Sequence, residues 1–344
     1  MIEDELRASF ARHEAEAPSV SVLRQGIARL NARRRRRRIA IRSTGVAAVV
    51  AVVLLATPLI MRTVSPRQLP FQPGPSGASD GPLNVLVLGL DPYAPAQGQK
   101  PTADSVTLVH INADHSRVHL VDFERDVLVD IPGHGKGKIG SAYALGGAPL
   151  TVQIVQSLTG ITVNGMVVLT LDALRDLTNA VGGVPLCLPV QVVSVYTGQT
   201  YPVGCYELDG AAVADLVRQR VNLPLGGYSR DSNIQLVLRA LAKRVHGLNL
   251  LTDATRLAGL LHAGGSGLQI DFGVSKITDL AALLVNIDGD DVVGIVSPQF
   301  ETAPTTGGVS YEQLDPVVTP ELFAALRNDT LDQFATAHPT WTIP

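Results

Sequence analysis

The chain has 344 residues, of which 46% are hydrophobic, 17% charged and 4% aromatic. That length and apolar content suffice for one large folded domain or two ordinary ones and exclude wholesale disorder, while so few aromatics argue against a base-stacking nucleic-acid platform. The formal charge of −3 conceals an asymmetry: residues 1–44 hold eleven arginines and five acids, net +6, and residues 45–344 hold 17 basic and 26 acidic side chains, net −9, which points to two compartments.

Residues 1–31 are polar, with Val22, Leu23, Ile27 and Leu30 about one helical turn apart. Six consecutive arginines follow, Arg33 to Arg38. From Gly45 to Met61 the chain reads "GVAAVVAVVLLATPLIM", without charge. Seventeen residues make about 25 Å of helix, and the flanks extend it to the ~30 Å core of a bilayer. Residues 45–62 are therefore read as one transmembrane helix. A cleaved signal peptide is the rival reading, but 44 residues precede the apolar run and no small-x-small cleavage site follows it. The arginine block places residues 1–44 in the cytoplasm and the bulk of the chain outside the cell membrane. Topology and anionic-lipid contact account for that block ahead of nucleic-acid binding. Residues 63–83 concentrate Pro, Gly and Ser and form a linker.

A folded domain over 84–335 follows. Strand-like runs lie at 84–90, 105–113, 117–123 and 165–171, the second and third joined by a polar turn as an antiparallel pair. Helical runs lie at 141–160, 172–183 with Asp172 as N-cap and Gly182 at the stop, 209–218, 231–245 and 274–286. Strands and helices interleave, so the expected fold is α/β: a mixed central sheet with helices on both faces.

Chemistry concentrates at three places. "NVLVLGLD" is an apolar strand ending in Asp91, and Asp104 opens the next strand. In an antiparallel return the two carboxylates would share one mouth, and an oxygen-only pair suits Mg²⁺. From spacing alone, an N-cap and a turn aspartate are the simpler reading of both. Arg125 precedes Asp126 directly after a strand. In "LVRQRVNLPLGGYSRD", a helix ending near Val217 would leave "RQR" extended, so that Arg218 and Arg220 project to one side. Arg230 would close the ring, and guanidinium groups of this kind suit a diphosphate. "GHGKGKIG" lacks the spacing of a phosphate loop, and no G-x-S-x-G elbow occurs. His110, His115 and His119 are read as mostly solvated. Two cysteines, Cys187 and Cys205, are compatible with core thiols or one disulfide; a zinc half-site lacks CxxC spacing and a nearby His.

The segments "NVLVLGLD", "ADSVTLVHIN", "FERDVLVDIPGHGKGKIGSAYALGG", "YELDGAAVADLVRQRVNLPLGG" and "SRDSNIQ", in this order over about residues 84–245, resemble a LytR-CpsA-Psr domain. The anchor and linker resemble that family too, and the cysteine pair is similar to its actinobacterial version. The resemblance implies a membrane-anchored phosphotransferase that moves a glycopolymer from a polyprenyl diphosphate to peptidoglycan through a phosphodiester bond. By position it implies Asp91 and Asp104 as metal ligands for Mg²⁺, and with Arg125, Arg218 and Arg220 as the catalytic set. Arg230, Lys138 and Gln235 would bind substrate. The exported location then implies a Cys187–Cys205 disulfide. The expected partners are the lipid-linked glycopolymer, peptidoglycan and the membrane, with no nucleic acid. Four positions depart from the family pattern: Tyr93 and Asn233 stand where arginines are expected, Gly140 for an asparagine and Gly227 for an acid. These departures keep two other readings open, a polyprenyl-phosphate-binding paralogue with little or no turnover and a membrane-bound regulator.

Overall fold

The computed structural model describes residues 81–91, 100–220, 223, 227–250, 253–272, 287, 289–301 and 310–343. The predicted cytoplasmic tail, the transmembrane helix at 45–62, nearly all of the linker, the helix at 274–286 and Tyr93 lie outside these residues. No helix among the described residues is long and apolar enough to cross a membrane.

In chain order, β1 (Leu83–Leu90), β2 (Ala103–Ile111) and β3 (Val118–Phe123) open the fold, and the hairpin β4 (Leu128–Ile131) and β5 (Gly135–Lys138) leads into α1 (Ala142–Thr159). Then come β6 (Gly165–Thr170), α2 (Leu171–Ala180), β7 (Val184–Leu188), β8 (Val192–Val193), β9 (Thr200–Tyr201) and β10 (Gly204–Leu208). The remainder is α3 (Gly210–Leu216), α4 (Gly227–Gly247), α5 (Ala254–Ala263), β11 (Leu268–Asp271), β12 (Val292–Val296), β13 (Gln299–Glu301), β14 (Glu312–Leu314), α6 (Val318–Arg327), α7 (Leu331–Ala337) and β15 (Thr342–Ile343). Among the described residues, seven strands form one sheet in the order β11-β6-β1-β2-β3-β12-β15. β1 and β2, and β2 and β3, pair antiparallel, whereas β1–β6 and β3–β12 are parallel. The sheet is therefore mixed, as the interleaved pattern implies.

Period-two alternation divides the core between the faces. Val85 and Val87 of β1 pack with Val109 and Leu120 against α2, α3, α4 and α5. Leu86 and Leu88 pack with Leu108, Val121 and Phe123 against α1, α6 and α7. Strands apolar on both faces are what a sheet covered twice requires, and each fully buried Leu contributes about 1.5–3 kcal/mol.

Three expectations change. Thr170, not Asp172, caps α2, its hydroxyl accepting from the Ala173 amide at 3.2 Å; Asp172 sits in the first turn. His110 and His119 are buried cross-strand partners on β2 and β3 rather than solvated. The α6–α7 corner covers them: His110 bonds Asn84 at 2.8 Å and Asp329 at 2.9 Å, and His119 bonds Asp332 at 3.2 Å. Finally, α1 is interrupted at Gly146 and Gly147, with Gly147 at φ 69°, so Pro149 falls after a break instead of inside an unbroken helix.

Cys187 and Cys205 face each other in the β7–β10 ladder and are joined by a disulfide. It closes a lobe over Leu188–Gly204 that carries the β8–β9 hairpin.

Candidate functional site

A cavity of about 260 Å³ opens beyond the carboxyl ends of the parallel neighbours β1 and β6, where α/β sheets place their ligands. About a third of the residues lining it are charged: Asp91, Asp104, Arg125, Arg218, Arg220 and Arg230. Most of the rest is apolar, including Val87, Leu90, Leu169, Leu174, Val217, Ile234, Val237 and Leu238. Six of the predicted site residues thus meet in one place.

Local geometry explains the convergence. Asp91 directly follows β1, and the antiparallel return brings β2 alongside it. The register jumps there: Gly89 pairs with Ser105 but Leu90 pairs with Ala103, which leaves Asp104 as the extra residue of a bulge. Such a bulge re-aims one side chain at a sheet edge. The Asp209 carboxylate caps α3, which ends at Leu216. Arg218 and Arg220 then reach the cavity, while Gln219 between them turns the other way. Its buried side-chain amide bonds Ser194 at 3.1 Å and the Asp215 carbonyl at 2.7 Å, and its oxygen accepts from Val195 N at 3.0 Å. Both arginines line the cavity, but not from extended chain: residues 217–218 form a turn, with Arg218 N bonded to the Asp215 carbonyl at 3.3 Å and Gln219 N to the Leu216 carbonyl at 3.2 Å. On α4, Arg230, Ile234, Val237 and Leu238 recur at helical spacing along one stripe facing the cavity.

Each cavity guanidinium holds a protein carboxylate. Arg218 Nε donates to Asp91 Oδ2 at 2.8 Å and its plane stacks on Tyr196, 4.1 Å from the ring centre. Arg125 donates to Asp104. Arg220 Nη2 lies 2.7 Å from Asp126 Oδ2 and 3.5 Å from Glu124 Oε1. Arg230 Nη2 lies 3.3 Å from the same Glu124 oxygen and 2.9 Å from Asp231 Oδ1. Lys138 is one carboxylate removed from the cavity, with Nζ 2.8 Å from Asp126 Oδ1.

Beneath the arginines lies a buried acid group that sequence reasoning overlooked. Asp122, Glu124 and Asp231 are each at most 1% exposed. Burial, then the neighbouring Asp231, pushes Glu124 up to about 7. Asp122 is raised by burial and by Asp231, and Asp231 by burial, offset in part by Arg230. Burial alone would raise Asp126, but hydrogen bonds from Lys138 and Arg220 outweigh it and hold it below the usual range. Burial would lower Arg230, yet Asp231 and Glu124 hold it above its ordinary value. The available signal was the alternation Asp122, Glu124, Asp126, which in extended chain puts three acids on one side.

Gln235, expected to bind substrate, is not among the residues that line the cavity. It is buried and donates to the Ile295 carbonyl of β12 at 3.0 Å. One residue along α4 turns it about 100° from the Ile234 stripe. Gly140, where the family pattern has asparagine, is closely packed: a Cβ there would lie 2.4 Å from the Ala103 carbonyl oxygen and 3.0 Å from Arg125 Cβ. Asn233 is buried on α4.

For a divalent cation, the donor chemistry of Asp91 and Asp104 fits Mg²⁺, which accepts one or two carboxylates and completes its shell with water and phosphate oxygens. No group of three or more His, Cys, Asp or Glu that would enclose a metal occurs among the described residues, so a cation here needs ligands from solvent or substrate.

The class is thus a mixed α/β domain whose cavity at the strand ends combines four guanidiniums with a largely apolar lining. The chain belongs to the LytR_cpsA_psr family, whose model matches residues 61–316. It is 28% identical over 237 residues to the polyisoprenyl-teichoic acid–peptidoglycan teichoic acid transferase TagU of Enterococcus faecalis, covering 68% of this chain and 75% of that one. It is 27% identical over 271 residues to the cell wall biosynthesis protein LcpA of Corynebacterium glutamicum, covering 67% of this chain and 51%, about half, of that protein. The crystal structure of TagV from B. subtilis superposes with a TM-score of 0.62 at 20% identity, covering 73% of this chain and 98% of that one, a likeness of fold.

Proposed function

We propose that this chain transfers a glycopolymer from a polyprenyl-diphosphate carrier to peptidoglycan through a phosphodiester bond, on the outer face of the cell membrane. The carrying observation is the two-sided cavity, where Arg125, Arg218, Arg220 and Arg230 meet beside an apolar wall. Guanidiniums suit the diphosphate and the apolar wall suits the isoprenoid. The likeness to TagU, a polyisoprenyl-teichoic acid–peptidoglycan teichoic acid transferase, supports the same reaction class.

Phosphoryl transfer demands positioning and charge neutralisation more than covalent chemistry by the protein. Arg218 and Arg220 bind the diphosphate from the segment that follows α3, and Arg230, anchored by Asp231 and Glu124, supports it from α4. Asp91 and Asp104 would hold Mg²⁺, which supplies further neutralisation of the phosphate oxygens. A wall-sugar hydroxyl attacks the phosphorus nearer the glycopolymer; the bond to the bridging oxygen breaks, and polyprenyl phosphate leaves. In this reading Asp91 or Asp104 takes the hydroxyl proton.

The test uses the full chain in detergent with lipid-linked glycopolymer and peptidoglycan, following release of polyprenyl phosphate with and without EDTA. Metal-dependent release is expected, and undiminished release in EDTA removes the magnesium role. A second reading, a binder of polyprenyl phosphates without turnover, is favoured by one observation: every cavity arginine already holds a protein carboxylate that an incoming diphosphate must displace. Stoichiometric lipid binding without release would establish it.

A further inference from the structure

Leu177 to Tyr206 is a run of thirty residues without Asp, Glu, Lys, Arg or His, in a chain 17% charged. Much of it is surface: Pro185, Cys187, Pro189 and Val195 to Thr200 are exposed. Among the described residues, the exposed large hydrophobics include Val195 at 48%, Tyr196 at 56% and Val203 at 63%, all within the disulfide-closed lobe. The lobe is braced. The Cys187–Cys205 bridge clamps its base, and its tip is tied to α3 and the segment after it, where Ser194 donates to Asp215 at 2.7 Å and Gln219 accepts from Val195 N. Its apolar side chains are therefore held outward.

The lobe also touches the cavity, because Tyr196 is part of the cavity wall and stacks on Arg218. Surfaces that face water are about a quarter to a third charged. An uncharged stretch with exposed Tyr and Val side chains suits the headgroup–acyl boundary, where a buried charge is costly and amphipathic rings are favoured.

We propose that this lobe docks on the lipid bilayer, with Val195, Tyr196 and Val203 entering the interface so that the cavity mouth opens onto the leaflet. The inference rests on the proposed lipid-linked substrate, since an isoprenoid chain must pass from leaflet to cavity without crossing water.

The experiment reconstitutes the full chain in vesicles of phosphatidylcholine and phosphatidylglycerol. Val203→Trp is compared with Gln333→Trp, on α7 against the opposite face of the sheet, with the parent chain's single tryptophan as background. Acyl-brominated lipid should quench most of the fluorescence added at position 203 and little of that added at 333. Equal quenching at the two positions overturns the proposal. So does shielding of position 203 by soluble peptidoglycan fragments without lipid quenching, which would assign the face to wall polymer. In parallel, Val203→Asp should slow transfer from a vesicle-borne donor about tenfold and leave transfer from a detergent-dispersed donor unchanged; equal loss in both also overturns it. Absence of transfer by the parent chain in either format counts against the proposed reaction, while the quenching result still decides the docking.

Discussion

Arg218 and Arg220 owe their joint aim to Gln219, whose side chain is tied to Ser194, Asp215 and Val195 while its neighbours reach the cavity. Replacing either arginine with alanine removes a charge from the cavity and the ion pair with Asp91 or Asp126, and with it the contact proposed for the diphosphate. Transfer should fall by about 100-fold or more, whereas His115→Ala, far from the cavity in the β2–β3 turn, should be nearly silent; equal effects refute the fork. Glu124 makes a separate prediction through pH. Its carboxyl is raised from 4.5 to about 7 in the fold. A raised acid contributes stability that is complete below the unfolded value and lost as pH climbs through the folded one. Glu124→Gln removes that loss, so between pH 4.5 and 7 the variant should gain on the parent by an amount on the order of 3 kcal/mol. Denaturant midpoints measured on both sides of that window check it, and a pH-independent difference excludes the assignment.

At the scale of elements, the strand ends do the positioning. β1 delivers Asp91, the bulge in β2 delivers Asp104, and the end of β3 delivers the alternating acids that seat Arg220 and Arg230. Periodicity in the sequence was enough to locate these strands within two residues at either end and to expect the β2–β3 pair. It could not show the bulge, because a one-residue register jump leaves composition and alternation almost unchanged. Nor could it show that His110 and His119 are covered, since their cover comes from Asp329 and Asp332, more than 200 residues later. The β7–β10 ladder is the element that the disulfide secures. Cys187→Ser with Cys205→Ser should cost about 3 kcal/mol in the chain-entropy model for a loop of this length, read from thermal or denaturant unfolding. An unchanged midpoint would mean that the lobe folds without its clamp.

Across the whole molecule, the sheet extends beyond the expected boundary at 335: β15, Thr342–Ile343, pairs with β12 at the edge. Truncation after Ala337 removes that pairing and the burial of Ile343, so it should lower stability by about 2 kcal/mol, measured as a shift in unfolding midpoint; no shift would show the edge strand to be dispensable. What the sequence alone determined was the class and most of the site: alternating and helical apolar patterns specify a doubly covered mixed sheet, because each pattern buries only one way. The run "RQR" could be read as a fork because one helix cap and one helix end decide its geometry locally. Tertiary structure decided the rest. Whether Gln235 meets substrate or strand depended on the rotation of α4, and whether Glu124 is a solvated acid or the seat of two arginines depended on chain segments about a hundred residues apart meeting. Burial and charge pairing are properties of that meeting, and no local pattern contains them.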